Sequence, residues 1–286
     1  MSHSDESERL IVPGELSPLL SIRDLAVDYG TGQRRFRAVE HIDLTLSVGQ
    51  TLGIVGESGS GKSTIGRAIL GLADPVEGSI TLDGRDITHR KANDRIWIAN
   101  RLGVVFQDPF SSLNPAMTVG ASLMEPLRTR HRLNKEEARA RVARALSTVG
   151  LSGDAMSRYP QQFSGGQRQR IAIARAIVPE PDLIVCDEAV SALDLSIQAQ
   201  VINLLREIQT SSGVGLVFIS HDLSVVRHIA DNILVLRHGR IIEFGPAAQV
   251  YESPRESYTR ELLAASPVPN PAEQRARREA RHALNL

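Results

Sequence analysis

One nine-residue stretch, residues 56–64, restricts the possible folds of this chain more than any other part of the sequence. It reads Gly-Glu-Ser-Gly-Ser-Gly-Lys-Ser-Thr, with the apolar run of residues 51–55 before it and helical spacing over residues 65–72 after it. A buried strand, a glycine-rich loop and a helix in this order are what a phosphate-binding loop requires. The glycines let backbone N–H groups surround an anion, and the start of the helix adds the positive end of its dipole. The stretch therefore predicts an α/β fold that binds a nucleoside triphosphate.

Two side chains of this loop have specific expected roles. Lys62 is expected to reach the β- and γ-phosphates, and the Ser63 hydroxyl is expected to coordinate Mg²⁺. The alternative, a chance glycine-rich turn, is disfavoured by the correct flanks on both sides. The predicted ligands are a nucleoside triphosphate and Mg²⁺, and the loop residues predicted to bind the triphosphate are Gly56, Glu57, Ser58, Gly59, Ser60, Gly61, Lys62, Ser63 and Thr64.

The composition excludes several classes of protein. The 286 residues include 33 Lys and Arg and 33 Asp and Glu, and this zero net charge argues against a general nucleic-acid binder. No run approaches the roughly 18 consecutive apolar residues of a membrane span, and residues 1–8 do not resemble a signal peptide. The single cysteine, Cys186, cannot form an internal disulfide or hold a Cys-rich zinc site or an iron–sulfur cluster. We therefore expect a cytosolic protein that meets a membrane only through partners.

The chain divides into three predicted parts. Residues 1–18 form a flexible tail, residues 19–250 an ATPase domain, and residues 251–286 a C-terminal extension with a basic, proline-broken end. Short antiparallel strands are predicted in the first hundred residues, including residues 39–48 after a polar turn at 30–37. Helices are predicted at residues 119–128 and 135–149, inside a helical subdomain of about 108–160. Strands then alternate with helices, which predicts a largely parallel sheet.

Two acids follow the apolar run of residues 183–186. Asp187 would lie at the carboxyl end of a buried strand, where open α/β sheets bind ligands, and would support the Mg²⁺ shell. Glu188 would orient or deprotonate the attacking water. The alternative places both acids in surface salt bridges. Cys186 is interpreted as a small buried residue without chemistry.

Residues 163–170, Phe-Ser-Gly-Gly-Gln-Arg-Gln-Arg, resemble the signature motif of ATP-binding-cassette (ABC) ATPases, with Phe163 where the family usually has leucine. A serine and two glycines that start a helix also make a second anion site on physical grounds. One glycine loop and a second anion site that faces elsewhere suggest that ATP is held between two chains. The signature residues predicted to bind the ATP of a second ATP-binding subunit are Ser164, Gly165, Gly166 and Gln167.

Other positions match the same family in the same order, over about residues 19–265. Tyr29 resembles the aromatic that stacks on adenine, although Phe36 is a weaker candidate and core packing of Tyr29 is an alternative. Residues 191–194 match the loop that links the two active sites. The resemblance implies a P-loop NTPase with a RecA-like core, an antiparallel β subdomain and an inserted α-helical subdomain. It also implies catalytic roles for Lys62, Gln107, Glu188 and His221, and metal coordination by Ser63, Gln107 and Asp187.

Residues 105–115, 187–194 and 219–226 resemble the importers of dipeptides and oligopeptides, and residues 253–263 resemble the C-terminal extension of that group. The group often has His-Pro where this chain has Glu256-Ser257. The resemblance implies peptide uptake at the cytoplasmic face of a bacterial inner membrane. The partners implied are transmembrane permease subunits, a second ATP-binding subunit of the same or a related chain, and indirectly a solute-binding protein, with no nucleic acid.

Two alternatives remain. The cargo could be nickel, glutathione or another small solute, because an ATPase subunit does not contact it. A non-transport ABC ATPase acting on DNA or ribosomes is disfavoured, because the chain has one set of motifs and no long heptad run.

Overall fold

The computed structural model describes residues 18–90, 94–108, 113–129 and 133–265. The predicted N-terminal tail up to residue 17 and the basic end beyond residue 265 lie outside these residues. The strands are β1 (Pro18–Tyr29), β2 (Phe36–Ser47), β3 (Thr51–Val55), β4 (Glu77–Leu82), β5 (Arg85–Asp86), β6 (Leu102–Phe106), β7 (Leu183–Asp187), β8 (Gly215–Ile219), β9 (Asn232–Arg237) and β10 (Arg240–Pro246). The helices are α1 (Lys62–Leu70), α2 (Arg95–Arg101), α3 (Val119–Thr129), α4 (Lys135–Thr148), α5 (Gly165–Ile177), α6 (Leu195–Ser212), α7 (Leu223–Val226), α8 (Ala247–Glu252) and α9 (Ser257–Ala265).

Among the described residues, a four-stranded antiparallel sheet has the order β2-β1-β4-β5. Its two longest strands have 12 residues each, and the antiparallel strands predicted in the first hundred residues are confirmed. Strand β2 begins at Phe36 instead of at residue 39 because Tyr29 pairs with Phe36 and Asp28 pairs with Arg37. The Arg37 guanidinium donates to the Asp28 carboxylate at 3.0 Å, so basic residues assigned to a turn extend the ladder.

The second sheet carries the candidate site. Within the described residues its order is β10-β9-β3-β8-β7-β6, and only β10 runs antiparallel to its neighbour. Strands β3 and β8 are buried along their whole length, as expected for parallel strands covered on both faces. The parallel sheet predicted for the second half of the chain is confirmed. Its carboxyl ends meet at one edge, where α/β sheets bind ligands.

The helices between β6 and α5 share a buried cluster with this sheet. Helices α3 and α4 end within one residue of the predicted bounds. Leu123 and Val142 belong to the same buried cluster as Ile184 of β7 and Phe218 of β8. The helical segment therefore shares its core with one face of the sheet. The bounds proposed for a separate subdomain, and for the division at residue 250, stay predictions.

Helix α7 is a single turn that ends at Val226. The N–H groups of His228 and Ile229 donate to carbonyl groups three residues earlier, which tightens the chain into turns. Within the described ranges, no helix combines the length and the apolar character needed to cross a bilayer.

Gly53 of β3 lies where a side chain would overlap α7, and this position gives a test of the core. A Cβ atom at Gly53 would lie 2.1 Å from Val226 Cγ1 and 3.0 Å from Ala230 Cβ. We expect Gly53→Ala to lower the free energy of unfolding by about 1–3 kcal/mol through overpacking, measured by urea denaturation. Gly153→Ala is the matched control, since no described heavy atom lies within 4 Å of its added Cβ. Equal stability of the two variants would contradict the close packing of β3 on α7.

Candidate functional site

The glycine loop that follows β3 lies against the end of β9. A Cβ atom at Gly56, which has a φ of 152°, would lie 2.1 Å from the Leu236 carbonyl oxygen. A Cβ atom at Gly61, with a φ of 106°, would lie 2.6 Å from the Ala38 carbonyl oxygen. Both glycines are therefore required by a positive φ and by close backbone contacts. Helix α1 begins directly after Gly61, as the sequence predicts.

Lys62 is folded into the loop that precedes it. Its side chain is buried, and Nζ donates hydrogen bonds to the carbonyl oxygens of Gly56 at 2.8 Å and Glu57 at 2.6 Å. Burial lowers the pKa of Lys62, while the negative charges of Glu188, Asp187 and Glu57 act in the opposite direction. The loop thus holds a cation beside the free N–H groups at the start of α1, an arrangement suited to an anionic phosphate.

Ser63 and Asp187 meet although they are far apart in the sequence. Ser63 Oγ donates a hydrogen bond to Asp187 Oδ1 at 2.8 Å. Burial raises the pKa of Asp187, and the hydrogen bond from Ser63 opposes that effect. A hydroxyl and a carboxylate are hard oxygen ligands of the type that Mg²⁺ prefers. These two residues therefore fit the predicted magnesium site.

Glu188 and His221 also lie side by side, as expected for the ends of neighbouring strands β7 and β8. Glu188 Oε1 is 3.7 Å from His221 Nδ1, and the Glu188 N–H donates to the Ile219 carbonyl at 3.0 Å. Glu188 has a φ of 51°, a backbone conformation that costs a non-glycine residue about 1–3 kcal/mol. Strain of this kind, kept beside Asp187, supports a functional reason for the placement of the carboxylate.

A cavity of about 1000 Å³ brings most of the predicted catalytic and metal-binding residues together. Gln107, which follows β6, lines it with Ser58, Ser63, Asp187 and Glu188. Arg67 and Arg175 also line the cavity, and sequence reasoning missed both. Arg67 could have been found, because it follows Ser63 by four residues and so lies on the same face of α1.

Tyr29 is not among the residues that line this cavity. Its ring stacks on Phe36 with 6.1 Å between centroids and 28° between planes. Its hydroxyl is buried without a hydrogen-bond partner among the described residues, whereas Phe36 is 59% exposed. The two aromatic candidates therefore form one pair, and stacking of either ring on adenine stays a prediction.

The signature residues form the start of α5 and do not line the cavity either. Ser164 Oγ accepts a hydrogen bond from the Gln167 N–H at 3.3 Å, and Gln167 Oε1 accepts one from the Ser164 N–H at 3.0 Å. This reciprocal cap fixes the helix start. Ser164, Gly165 and Gln167 are exposed. An anion bound by this helix start would thus come from outside the chain's own glycine loop.

Comparison with known proteins agrees with this geometry. A family model described as ABC transporter matches residues 39–191. The chain is 47% identical over 263 residues to the oligopeptide transport ATP-binding protein OppF of Salmonella typhimurium, covering 88% of this chain and 79% of that protein. It is 48% identical over 255 residues to a putative peptide import ATP-binding protein of Brucella ovis, covering 89% of this chain and 80% of that protein. The glutathione import ATP-binding protein GsiA of Pectobacterium atrosepticum is 44% identical over 268 residues, covering 91% of this chain and 43% of that protein.

Solved structures give the same result for the fold. CbiO1 of Clostridium perfringens, part of the ABC transporter complex cbiONQ, has a TM-score of 0.74 and 27% identity, covering 82% of this chain and 91% of that one. The ATP-binding cassette MJ0796, dimeric and bound to ADP and Pi, has a TM-score of 0.72 and 28% identity, covering 80% of this chain and 98% of that one. The predicted fold class, a P-loop NTPase of the ABC type, is confirmed.

The position of Glu188 beside Asp187 and His221 gives a direct test. We expect Glu188→Gln to bind MgATP but to hydrolyse it about 10²–10⁴-fold more slowly, because the amide cannot accept the proton of water. Binding is measured by calorimetry and hydrolysis by phosphate release. Glu207→Gln, on the exposed face of α6, is the control and should match the parent in both assays. Near-normal hydrolysis by Glu188→Gln would remove this carboxylate from the reaction.

Proposed function

This chain belongs to the ABC transporter family and is an ATPase, and we propose that its hydrolysis of ATP powers the import of small peptides across a bacterial cytoplasmic membrane. The observation that carries the proposal is the group formed by the Lys62 loop, the Ser63–Asp187 pair and the Glu188–His221 pair at one edge of the sheet. This group would supply a cation, oxygen ligands for a metal and a carboxylate base, the parts that transfer of a phosphoryl group to water requires.

The residues of the site divide the chemistry among them. Lys62 and the N–H groups at the start of α1 would bind the β- and γ-phosphates. Ser63, Asp187 and Gln107 would hold Mg²⁺, which neutralises charge on the phosphate oxygens when it is bound. Glu188 would accept a proton from the attacking water, and His221, 3.7 Å from it, would contact the γ-phosphate. Since phosphoryl transfer needs little covalent chemistry from the protein, positioning and charge stabilisation supply most of the rate.

The partners follow from what a single chain leaves incomplete. Because its signature does not line its own cavity, each ATP would lie between the glycine loop of one subunit and residues 164–167 of a second ATP-binding subunit. The chain would work at the cytoplasmic face of the membrane with transmembrane permeases, and a solute-binding protein would deliver the cargo to them. The relatives named as peptide importers support this assignment.

Glutathione import is the second candidate, favoured by the likeness to GsiA. The two candidates differ in cargo, so they are separated by transport in cells. We expect deletion of this chain in its native host to abolish uptake of a labelled tripeptide of common amino acids. The wild-type chain should restore uptake, and Glu188→Gln should not. Normal peptide uptake in the deletion strain, with glutathione uptake lost, would replace the first candidate by the second.

The shared site is tested by mixing two inactive variants. Lys62→Ala disables the loop of its own chain, and Ser164→Arg places bulk and charge at the signature that a partner's phosphates would meet. Each variant alone should be inactive, whereas the mixture should regain ATP turnover because one intact loop faces one intact signature. If the natural partner is a related chain, one variant is placed in each subunit.

Tethering the two variants covalently is the control for dimer formation. Recovery of turnover supports a shared site. Tethered dimers that stay as inactive as their components would contradict the arrangement or require both sites to act together. A tethered dimer of one wild-type chain and one chain with both substitutions has no intact shared site, because each site contains one altered element. Its ATP turnover gives the background of the assay.

A further inference from the structure

Helix α9 is anchored beside the glycine loop by a buried carboxylate. Glu243 of β10 is 6% exposed, and its two oxygens accept hydrogen bonds from the N–H groups of Arg255 at 2.9 Å and Glu256 at 3.2 Å. These amides come directly before the first residue of α9. A carboxylate at this position satisfies free N–H groups and complements the helix dipole. The start of α9 is thus fixed to the same sheet that carries the loop.

Tyr258, the second residue of α9, also holds this helix in place, because its side chain is buried in the core. It is 2% exposed and belongs to the buried cluster that contains Leu223 of α7 and Val250 of α8. The Arg237 guanidinium, at the end of β9, lies 4.5 Å from the centre of its ring. Burial raises the pKa of Tyr258 above its ordinary value.

The Tyr258 hydroxyl contacts the loop itself. Its oxygen accepts a hydrogen bond from the Glu57 N–H at 3.2 Å, across 201 positions of sequence. The carbonyl oxygen of the same residue, Glu57, accepts hydrogen bonds from Lys62 Nζ at 2.6 Å and from the Ser60 N–H at 3.2 Å. The backbone of one residue therefore joins the C-terminal helix to the lysine of the phosphate loop.

We propose that Tyr258 is a positioning residue for the phosphate loop: its hydroxyl fixes Glu57 in the orientation that holds Lys62, and so couples α9 to nucleotide binding. Without the hydroxyl, the Glu57 N–H loses its partner and the loop gains other orientations. Only the correctly oriented fraction binds nucleotide, so the apparent dissociation constant rises as that fraction falls. The inference holds whichever solute is carried, because it requires only that the loop binds nucleotide.

The test removes one oxygen atom. Tyr258→Phe keeps the buried ring under Arg237 and deletes the hydroxyl. We expect it to bind MgADP about 5- to 10-fold more weakly in calorimetry, the effect of one lost hydrogen bond with an unsatisfied N–H group. The KM for ATP should rise by a similar factor while kcat changes by less than about twofold, since binding and not the chemical step is affected.

The matched control is Tyr251→Phe. Tyr251 also carries an arginine over its ring, with Arg227 at 4.1 Å, but it lies on α8. The Tyr251→Phe variant should bind MgADP with the same affinity as the wild type. A Tyr258→Phe variant with wild-type affinity and KM would overturn the proposal, as would an equal loss in both tyrosine variants.

A second measurement needs no variant. Because coupling between two sites is reciprocal, MgADP should slow amide hydrogen exchange in residues 257–265 of the wild-type chain. In Tyr258→Phe this protection should be lost while exchange of the Glu57 amide becomes faster. Exchange over residues 257–265 that is unchanged by saturating MgADP in the wild type would refute the coupling. That result decides the question even if Tyr258→Phe fails to fold.

Discussion

The contact between the glycine loop and the end of β9 is the constraint on which the rest of the structure depends. Strands β3 and β9 pair in parallel with Val55 beside Val235, so Gly56 emerges next to the Leu236 carbonyl. A side chain at Gly56 would force β9 away, and β9 carries both Arg237, which lies over Tyr258, and the pairing to β10. Strand β10 in turn supplies Glu243, which anchors α9. The glycine loop, strands β9 and β10, and helix α9 are therefore connected by a continuous series of contacts.

Burial at this edge has opposite effects on the two signs of charge. It lowers the pKa of Lys62 and raises the pKa of Asp187, so each group alone would tend toward its neutral form. The negative charges of Glu188, Asp187 and Glu57 oppose this effect on the pKa of Lys62, and the Ser63 hydroxyl opposes it on the pKa of Asp187. A site built from such opposed groups is poised for a ligand that brings negative phosphate and positive metal together.

The sequence predicted the parts of the site that follow from local patterns. The loop and the side chains of Gln107, Asp187, Glu188 and His221 lie at or just beyond the ends of apolar strands, and parallel strands bring their carboxyl ends to one edge. The features that could not be predicted depend on contacts between residues that are not neighbours in the sequence. Strand β2 starts early because Tyr29 pairs with Phe36, and that pairing also stacks the two rings that the sequence offered as alternatives. The bond between Tyr258 and Glu57 has no local signal, since no motif links residues 201 positions apart.

The start of α5 is exposed and lies outside the cavity that Ser58 and Ser63 of the glycine loop line. A helix leaves its first N–H groups without helical partners. Here the reciprocal cap uses the N–H groups of Ser164 and Gln167. A Cβ atom added at Gly165 would meet no described heavy atom within 4 Å, whereas one added at Gly166 would lie 2.8 Å from Ile197 Cγ2, so the open approach is at Gly165. An anion bound at this helix start would come from outside the cavity of the same chain, because the signature residues do not line that cavity. A phosphate held by the glycine loop of a second subunit has the charge to fill that place.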